Sequence, residues 1–269
     1  MAEQAAQEKA QEAERPALVG YAAAQGVATL TLDSPANRNA LSPRLMSELA
    51  EGLAAAAADP GVRVAVLTHT GGTFCAGADL SGSDPAEGTA RLLALLRRIV
   101  ELPKPVVARV DGHVRAGGLG LLGACDLAVA GPGSTFAFTE ARLGLAPAII
   151  SLTTLPRLSG RAAARYYLTG ERFDAATAER IGLITSAPDG PDGLDAELDA
   201  LLNAFRACSP QGLAETKALT TRGVLRAFAE HGEEMTALSA RLFRSEEARE
   251  GLTAWLERRR PRWAAGHAP

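Results

Sequence analysis

The sequence predicts an α/β protein, with a core over residues 16–207 in which short strands alternate with helices, followed by a helical region over residues 208–269. Three observations carry this. Apolar β-like runs such as "VRVAVLTHT", "PVVARV" and "DLAVAG" are punctuated by glycine and separated by stretches of helical period. From Ile150 onward helical spacing dominates. The chain has 269 residues, 47% hydrophobic and 22% charged, the size and balance of a globular enzyme with one large core and an appendage.

In chain order, residues 1–15, "MAEQAAQEKAQEAER", are polar and lack an apolar signal segment, and are expected to form a disordered or weakly helical tail. "LVGYAAAQGVATLTL" reads as two strands around a turn at Gln25 and Gly26. Ser42 as N-cap and Pro43 in the first turn start a helix through "SPRLMSELAEGLAAAAA". Val62–Thr70 is a strand, "FCAGADLSGSDP" a loop, Glu87–Leu102 a helix and Pro105–Val110 a strand. "DLAVAG" and "STFAF" follow as short strands leading to Glu140. Helices are expected over Arg161–Thr169, Ala175–Ile181, Leu194–Ala207, Pro210–Phe228 and Glu230–Arg259.

Composition excludes several classes. A net charge of −3 offers no nucleic-acid-binding surface, and the cluster Arg258, Arg259, Arg260 and Arg262 reads as a solvated helix end. The most apolar later run, "LGLAPAIISLTTLPRL", is too short and too broken by Pro147 and Pro156 to cross a bilayer, so no membrane segment is expected. Cys75, Cys125 and Cys208 lack C-x-x-C spacing, so neither disulfides nor zinc are suggested and a reducing cytoplasm fits. His69, His113, His231 and His267 are scattered and no G-x-S-x-G elbow occurs, which argues against a metal site or a serine triad. Cys75, between Phe74 and Ala76, reads as a small buried hydrophobe rather than a nucleophile.

Gly118, Gly120 and Gly123 in "RAGGLGLLGACDLAVAG" have the G-x-G-x-x-G spacing of a dinucleotide-binding turn, with Glu140 about twenty residues on. The next β-like run begins at Asp126, so only one or two helical turns fit, too few for the crossover that NAD binding needs. A second small-residue loop, "TFCAGADL", also follows a strand. Two such loops can turn backbone N–H groups toward one ligand, the arrangement that stabilises an oxyanion, and a helix opening near Gly117 adds its dipole.

The stretches "FCAGADL", "KPVVARVDGHVRAGGLGLLGACDLAVAG", "STFAFTEARLGLAP", "SPQGLAETK" and "RRRPRW" resemble, in the same order from Leu18 to Trp263, the enoyl-CoA hydratase/isomerase (crotonase) superfamily. The resemblance implies a crotonase-like spiral of ββα units, with C-terminal helices that assemble a homotrimer or a hexamer. It implies an acyl-CoA thioester as substrate, with no further cofactor, its carbonyl oxygen held by the N–H groups of Ala78 and Gly117. Of the two glutamates that the best-known hydratases use, Glu140 stands at the second position, whereas the first is Gly120. Coenzyme A would lie along "NRNALS" and "ADLS", against Arg38, Ala40, Ala76, Asp79, Leu80 and Gly118, with Arg38 nearest its phosphates. Ser81 stands where related proteins often carry a lysine, and the terminal arginines are a possible substitute. Arg115 is either a solvated arginine or a reader of an acyl-chain carboxylate, and His113 is read as structural.

The implied activity is hydration of a 2-enoyl-CoA, or of a methylglutaconyl-CoA type substrate, because "RLGLAPAIIS" resembles hydratases lacking the first glutamate. The alternatives are isomerisation of 3-enoyl-CoA to 2-enoyl-CoA, for which one proton carrier suffices, and a non-catalytic acyl-CoA-binding member of the fold.

Overall fold

A computed structural model describes residues 16–79, 85–190 and 192–265. The N-terminal tail, Leu80, Ser81 and His267 lie outside the described residues. Strands β1 (Val19–Ala24) and β2 (Val27–Leu32) pair antiparallel through Gln25 and Gly26, both at positive φ (50° and 82°). That two-residue turn matches the twist of the strands it joins. Helix α1 (Pro43–Ala58) starts as the sequence predicts: the Ser42 hydroxyl accepts the Leu45 N–H, and Pro43 occupies the first turn.

From there the chain repeats one unit. Strands β3 (Val64–His69) and β4 (Thr73–Cys75) lead to α2 (Pro85–Glu101), and β5 (Val106–Val110) and β6 (His113–Arg115) lead to α3 (Gly117–Ala124). Strands β7 (Leu127–Ala130) and β8 (Thr135–Ala137) lead through a 3-10 turn, Glu140–Leu143, to α4 (Ala148–Thr154). The first strand of each unit joins a five-stranded sheet ordered β1-β2-β3-β5-β7. The second joins a smaller sheet, β4-β6-β8-β9, closed by β9 (Phe173–Asp174). Past β2 the large sheet is parallel, as are β4, β6 and β8, so each turn of the spiral adds one strand to each sheet. Strands β4, β6 and β9 were not expected; at two or three residues each they are too short to show an alternation, and β4 runs into the stretch that reads as loop.

Helices α5 (Gly160–Thr169), α6 (Ala175–Arg180) and α7 (Gly193–Ala207) follow. On the outer face of the large sheet, Val27, Val64, Val66, Val107 and Val129 pack under Leu194, Leu198 and Leu202 of α7. Burial on both faces explains why these strands read as continuous apolar runs. The expected break between Phe228 and Glu230 is absent: α8 runs from Pro210 to Phe243, and α9 (Glu246–Leu256) begins after Ser245. Neither Ala229 nor Glu230 stops a helix, whereas the Ser245 hydroxyl accepts the Ala248 N–H and caps a new one.

Helix α8 packs on α2 and α4. It is pinned near its start by Lys217, whose Nζ lies 2.7 Å from Asp126 Oδ2 and donates to the carbonyls of Ile99 (2.9 Å) and Lys104 (3.1 Å). Asp126 Oδ2 also accepts the Val106 N–H at 2.8 Å. The "CD" and "ETK" parts of the sequence motifs therefore lock a helix to the sheet. No described helix is long and apolar enough to cross a membrane, and no three His, Cys, Asp or Glu residues converge among those described. Cys75 and Cys125 are buried, and burial pushes both thiols up to about 12.

Candidate active site

Neighbouring strands β4, β6 and β8 are parallel, so their C-terminal ends open on one edge of the small sheet. Just past those ends stand Ala78, three residues after Cys75, Gly117, two after Arg115, and Glu140, three after Ala137. The carboxyl edge of parallel strands is where α/β folds expose backbone groups to ligands.

Two of the three positions present N–H groups. Each follows a residue at positive φ, Gly77 at 98° and Ala116 at 46° with ψ −118°, which turns the next peptide plane. For Ala116 that conformation costs on the order of 1–3 kcal/mol. Its neighbours hold it: the Ala116 N–H donates to Ala137 O (3.3 Å), and its carbonyl accepts the Leu119 N–H (2.8 Å). Gly77 has no such latitude for a side chain, since a Cβ there would lie 2.9 Å from the Ala116 Cβ. The bridge between Leu41 and Ala78 runs from Leu41 N–H to Gly77 O (2.8 Å) and from Asp79 N–H to Leu41 O (3.5 Å), leaving the Ala78 N–H uncommitted. Gly117 opens α3, so its N–H has no acceptor within the helix, and Ala116 supplies no side-chain cap. The two groups adjoin: a Cβ placed on Gly117 would sit 3.7 Å from Ala78 N.

The third position presents an acid. Glu140 is only 8% exposed, and its Oε2 is buried without a hydrogen-bond partner. Burial raises its pKa to about 7, although its own backbone N–H pulls the other way. An orphaned buried carboxylate oxygen is costly and marks a place where a reactant belongs. Tyr167 stands close enough for the Glu140 charge to raise its own pKa, after burial as the main cause, and its ring packs on Phe138 at 4.5 Å.

The Gly120 position lies against an apolar wall: a Cβ there would meet Ile150 Cγ2 at 2.5 Å and Leu96 Cδ1 at 3.2 Å. Gly118 and Gly123 are likewise close-packing glycines, whose Cβ atoms would strike Cys75 and the Thr153 carbonyl at 2.8 Å. The G-x-G-x-x-G spacing thus records a short helix pressed against three neighbours. Gly118 is buried in its first turn, while Ala78 is exposed and Ala76 and Asp79 are half-buried beside it.

The "NRNALS" loop adjoins the donors. The Arg38 carbonyl accepts the Ala76 N–H (3.1 Å), Ala40 is buried, and the Arg38 guanidinium lies over the Trp255 ring at 5.8 Å. Asn39 was not anticipated. Fully buried, it bonds the Ser34 N–H and the carbonyls of Thr70 and Thr73, which fixes the loop. Arg115 turns away from the site, donating to Val114 O, Thr135 O and Thr135 Oγ1, and His113 Nδ1 also meets Thr135 Oγ1. Of the terminal arginines, Arg259 pairs with Glu250 and Glu257, and Arg262 with Glu250.

Two loops of uncommitted donors and one buried acid on a spiral of ββα units define the crotonase class of protein. The sequence model of the enoyl-CoA hydratase/isomerase family matches residues 22–266, and the chain belongs to that family. It is similar to the solved structure of an enoyl-CoA hydratase from Mycobacterium avium, at 59% identity and a TM-score of 0.87 over 93% of this chain and 100% of that one. Among curated relatives it is 33% identical to enoyl-CoA hydratase EchA19 of Mycobacterium tuberculosis over 86% of this chain and 91% of that protein. It is 32% identical to the (E)-benzylidenesuccinyl-CoA hydratase of Thauera aromatica over 87% of this chain and 94% of that protein.

Proposed function

We propose that this chain hydrates a 2-enoyl-CoA thioester, or one of methylglutaconyl-CoA type, with Glu140 as its proton carrier. The observation that carries the reading is the delivery of two uncommitted N–H groups and one orphaned carboxylate to one edge by three adjacent parallel strands. The thioester oxygen sits between Ala78 and Gly117, each donor contributing about 3 kcal/mol as negative charge develops on that oxygen. Glu140 takes a proton from water as the hydroxyl oxygen bonds to C3, and the resulting enolate recovers that proton from Glu140 at C2. One carboxyl thus serves both steps, and the net change is addition of one water. Arg38, Ala40, Ala76, Asp79, Leu80 and Gly118 belong to the same reading as residues against coenzyme A, which enters as part of the substrate. Self-association through the C-terminal helices into a trimer or hexamer belongs to it too, supported by exposed Leu219 (62%) and Leu256 (66%).

Gly120 favours one second reading. With Ile150 and Leu96 filling the space beside it, no carboxylate at that position can orient the water, and 3-enoyl to 2-enoyl isomerisation needs none. A panel of 2-enoyl-CoA and 3-enoyl-CoA thioesters, followed by mass spectrometry, separates the two: hydration adds the mass of water, and isomerisation moves the double bond at constant mass. Stabilisation by acyl-CoA with no turnover across the panel instead identifies a binding protein.

Two substitutions bear on this site. Gly117→Val is expected to lower kcat by about a hundredfold with a much smaller loss of stability, because the tightest contact of its Cβ is with the end of the Leu41 side chain (2.9 Å), while the added side chain crowds the donor loop from 3.7 Å off Ala78 N. Equal losses of turnover and of urea stability would make Gly117 a structural glycine. Gly120→Glu is expected to destabilise by about 3 kcal/mol or more, since it drives a carboxylate into the Ile150 side chain. Ile150→Ala in the same chain should recover part of that loss, and a single variant as stable as the parent contradicts the packing.

A further inference from the structure

Helix α9 lies against the turn that carries Glu140 with no side chain between them. A Cβ on Gly251 of α9 would be 2.4 Å from Leu143 O and 2.5 Å from Leu143 C. A Cβ on Gly144 would be 2.6 Å from Glu247 C and 2.8 Å from Ala248 N. Each glycine admits the backbone of the other element, and Ala248, fully buried, completes the seam.

The turn needs such support. Glu140–Leu143 is a single 3-10 turn, closed by Gly144 at a φ of 71° and by the Leu145 N–H donating to Glu140 O at 2.9 Å. One turn of that kind has little stability of its own. Helix α9 reaches the opposite wall as well, since Trp255 lies under Arg38, whose carbonyl is stitched to the Ala78 loop. Its C-terminal end is in turn stapled: Glu250 accepts Arg259 at 2.7 Å and the Arg262 N–H at 2.9 Å. The "RRRPRW" segment thus secures the helix that packs on the Glu140 turn.

We propose that Gly144 and Gly251 are positioning residues, a bare-backbone seam by which α9 fixes the Glu140 turn and keeps water from its carboxylate. This rests on the reading of Glu140 as the proton carrier. Because the hydratase requires the Glu140 carboxylate form, turnover rises with pH through its pKa of about 7, and admitting water lowers that pKa.

The test is Gly251→Ala in the full chain, read by pH–rate profile and amide hydrogen exchange, with Glu140→Gln alongside. Expected are a fall in kcat of about tenfold or more, a shift of the acid limb by at least one pH unit toward lower pH, and faster exchange of the Leu145 amide with Val107 and Ala108 unchanged. Ala248→Gly adds no atoms and loosens the same seam, so it should move the limb the same way by less, and it decides the matter should Gly251→Ala not fold. An acid limb that stays in place and a Leu145 amide that exchanges at the parent rate overturn the proposal. Should Glu140→Gln keep its turnover, the reading of Glu140 fails instead; an inactive Glu140→Gln beside an unmoved Gly251→Ala profile removes the seam alone.

Discussion

Glu140→Gln is expected to lower kcat by at least about a hundredfold, leave KM within a few-fold, and stabilise the protein at pH 8. The amide keeps the size of the side chain and cannot exchange a proton. Its effect on stability follows from the raised pKa of about 7 against an ordinary value near 4.5. Below about pH 4.5 the carboxyl is neutral in both the folded and unfolded chain and costs nothing. Between about pH 4.5 and 7 the unfolded chain ionises first, and stability is lost as pH rises through the folded pKa. At about 1.4 kcal/mol per unit, a rise from 4.5 to about 7 makes the full penalty at pH 8 roughly 3–4 kcal/mol, which glutamine avoids. An unsatisfied buried amide costs part of this back, leaving a net gain of about 1–2 kcal/mol. Urea unfolding at pH 8 and pH 4.5 measures it; a variant less stable at both pH values, with activity lost in proportion, would show that Glu140 holds the turn together rather than serving the reaction.

Asp126→Ala is expected to cost about 3–5 kcal/mol of stability, because it leaves a buried ammonium with no counter-charge. The Lys217 side chain is 4% exposed, burial already lowers its pKa, and its remaining partners are the two carbonyls of Ile99 and Lys104. The Val106 N–H loses its acceptor as well. For a chain of this size the melting temperature should fall by roughly 10 °C. Lys217→Met with Asp126→Ala in one chain should recover much of the loss, since removing both charges relieves the uncompensated one. A single variant within about 1 kcal/mol of the parent would mean that the pair is open to water.

The parts of the fold written in local chemistry were legible in the chain. Ser42 with Pro43, the Gln25–Gly26 turn and the apolar runs of β3, β5 and β7 announce themselves within a few residues of sequence. Strands β4 and β6 do not, yet they carry the donor loops; their strand character comes from neighbours far along the chain. The break between α8 and α9 was misplaced because a cap at Ser245 outweighs a change of polarity near Glu230. At the site, Ala78, Gly117 and Glu140 were named through motif resemblance, and local sequence alone reached only as far as two loops able to hold an oxygen. Ile150 facing Gly120, Asn39 inside its loop and Gly251 against Leu143 were out of reach, because each is a tertiary close approach that leaves no periodic trace.

The central claim is that burial at the end of strand β8 holds one carboxyl near neutrality beside two backbone donors. Titration of the protein labelled with carbon-13 at the glutamate side-chain carboxyls tests it most directly. One glutamate resonance should titrate near pH 7 and vanish in Glu140→Gln. A spectrum with no glutamate resonance titrating near neutrality, or with one that survives the substitution, would contradict the account.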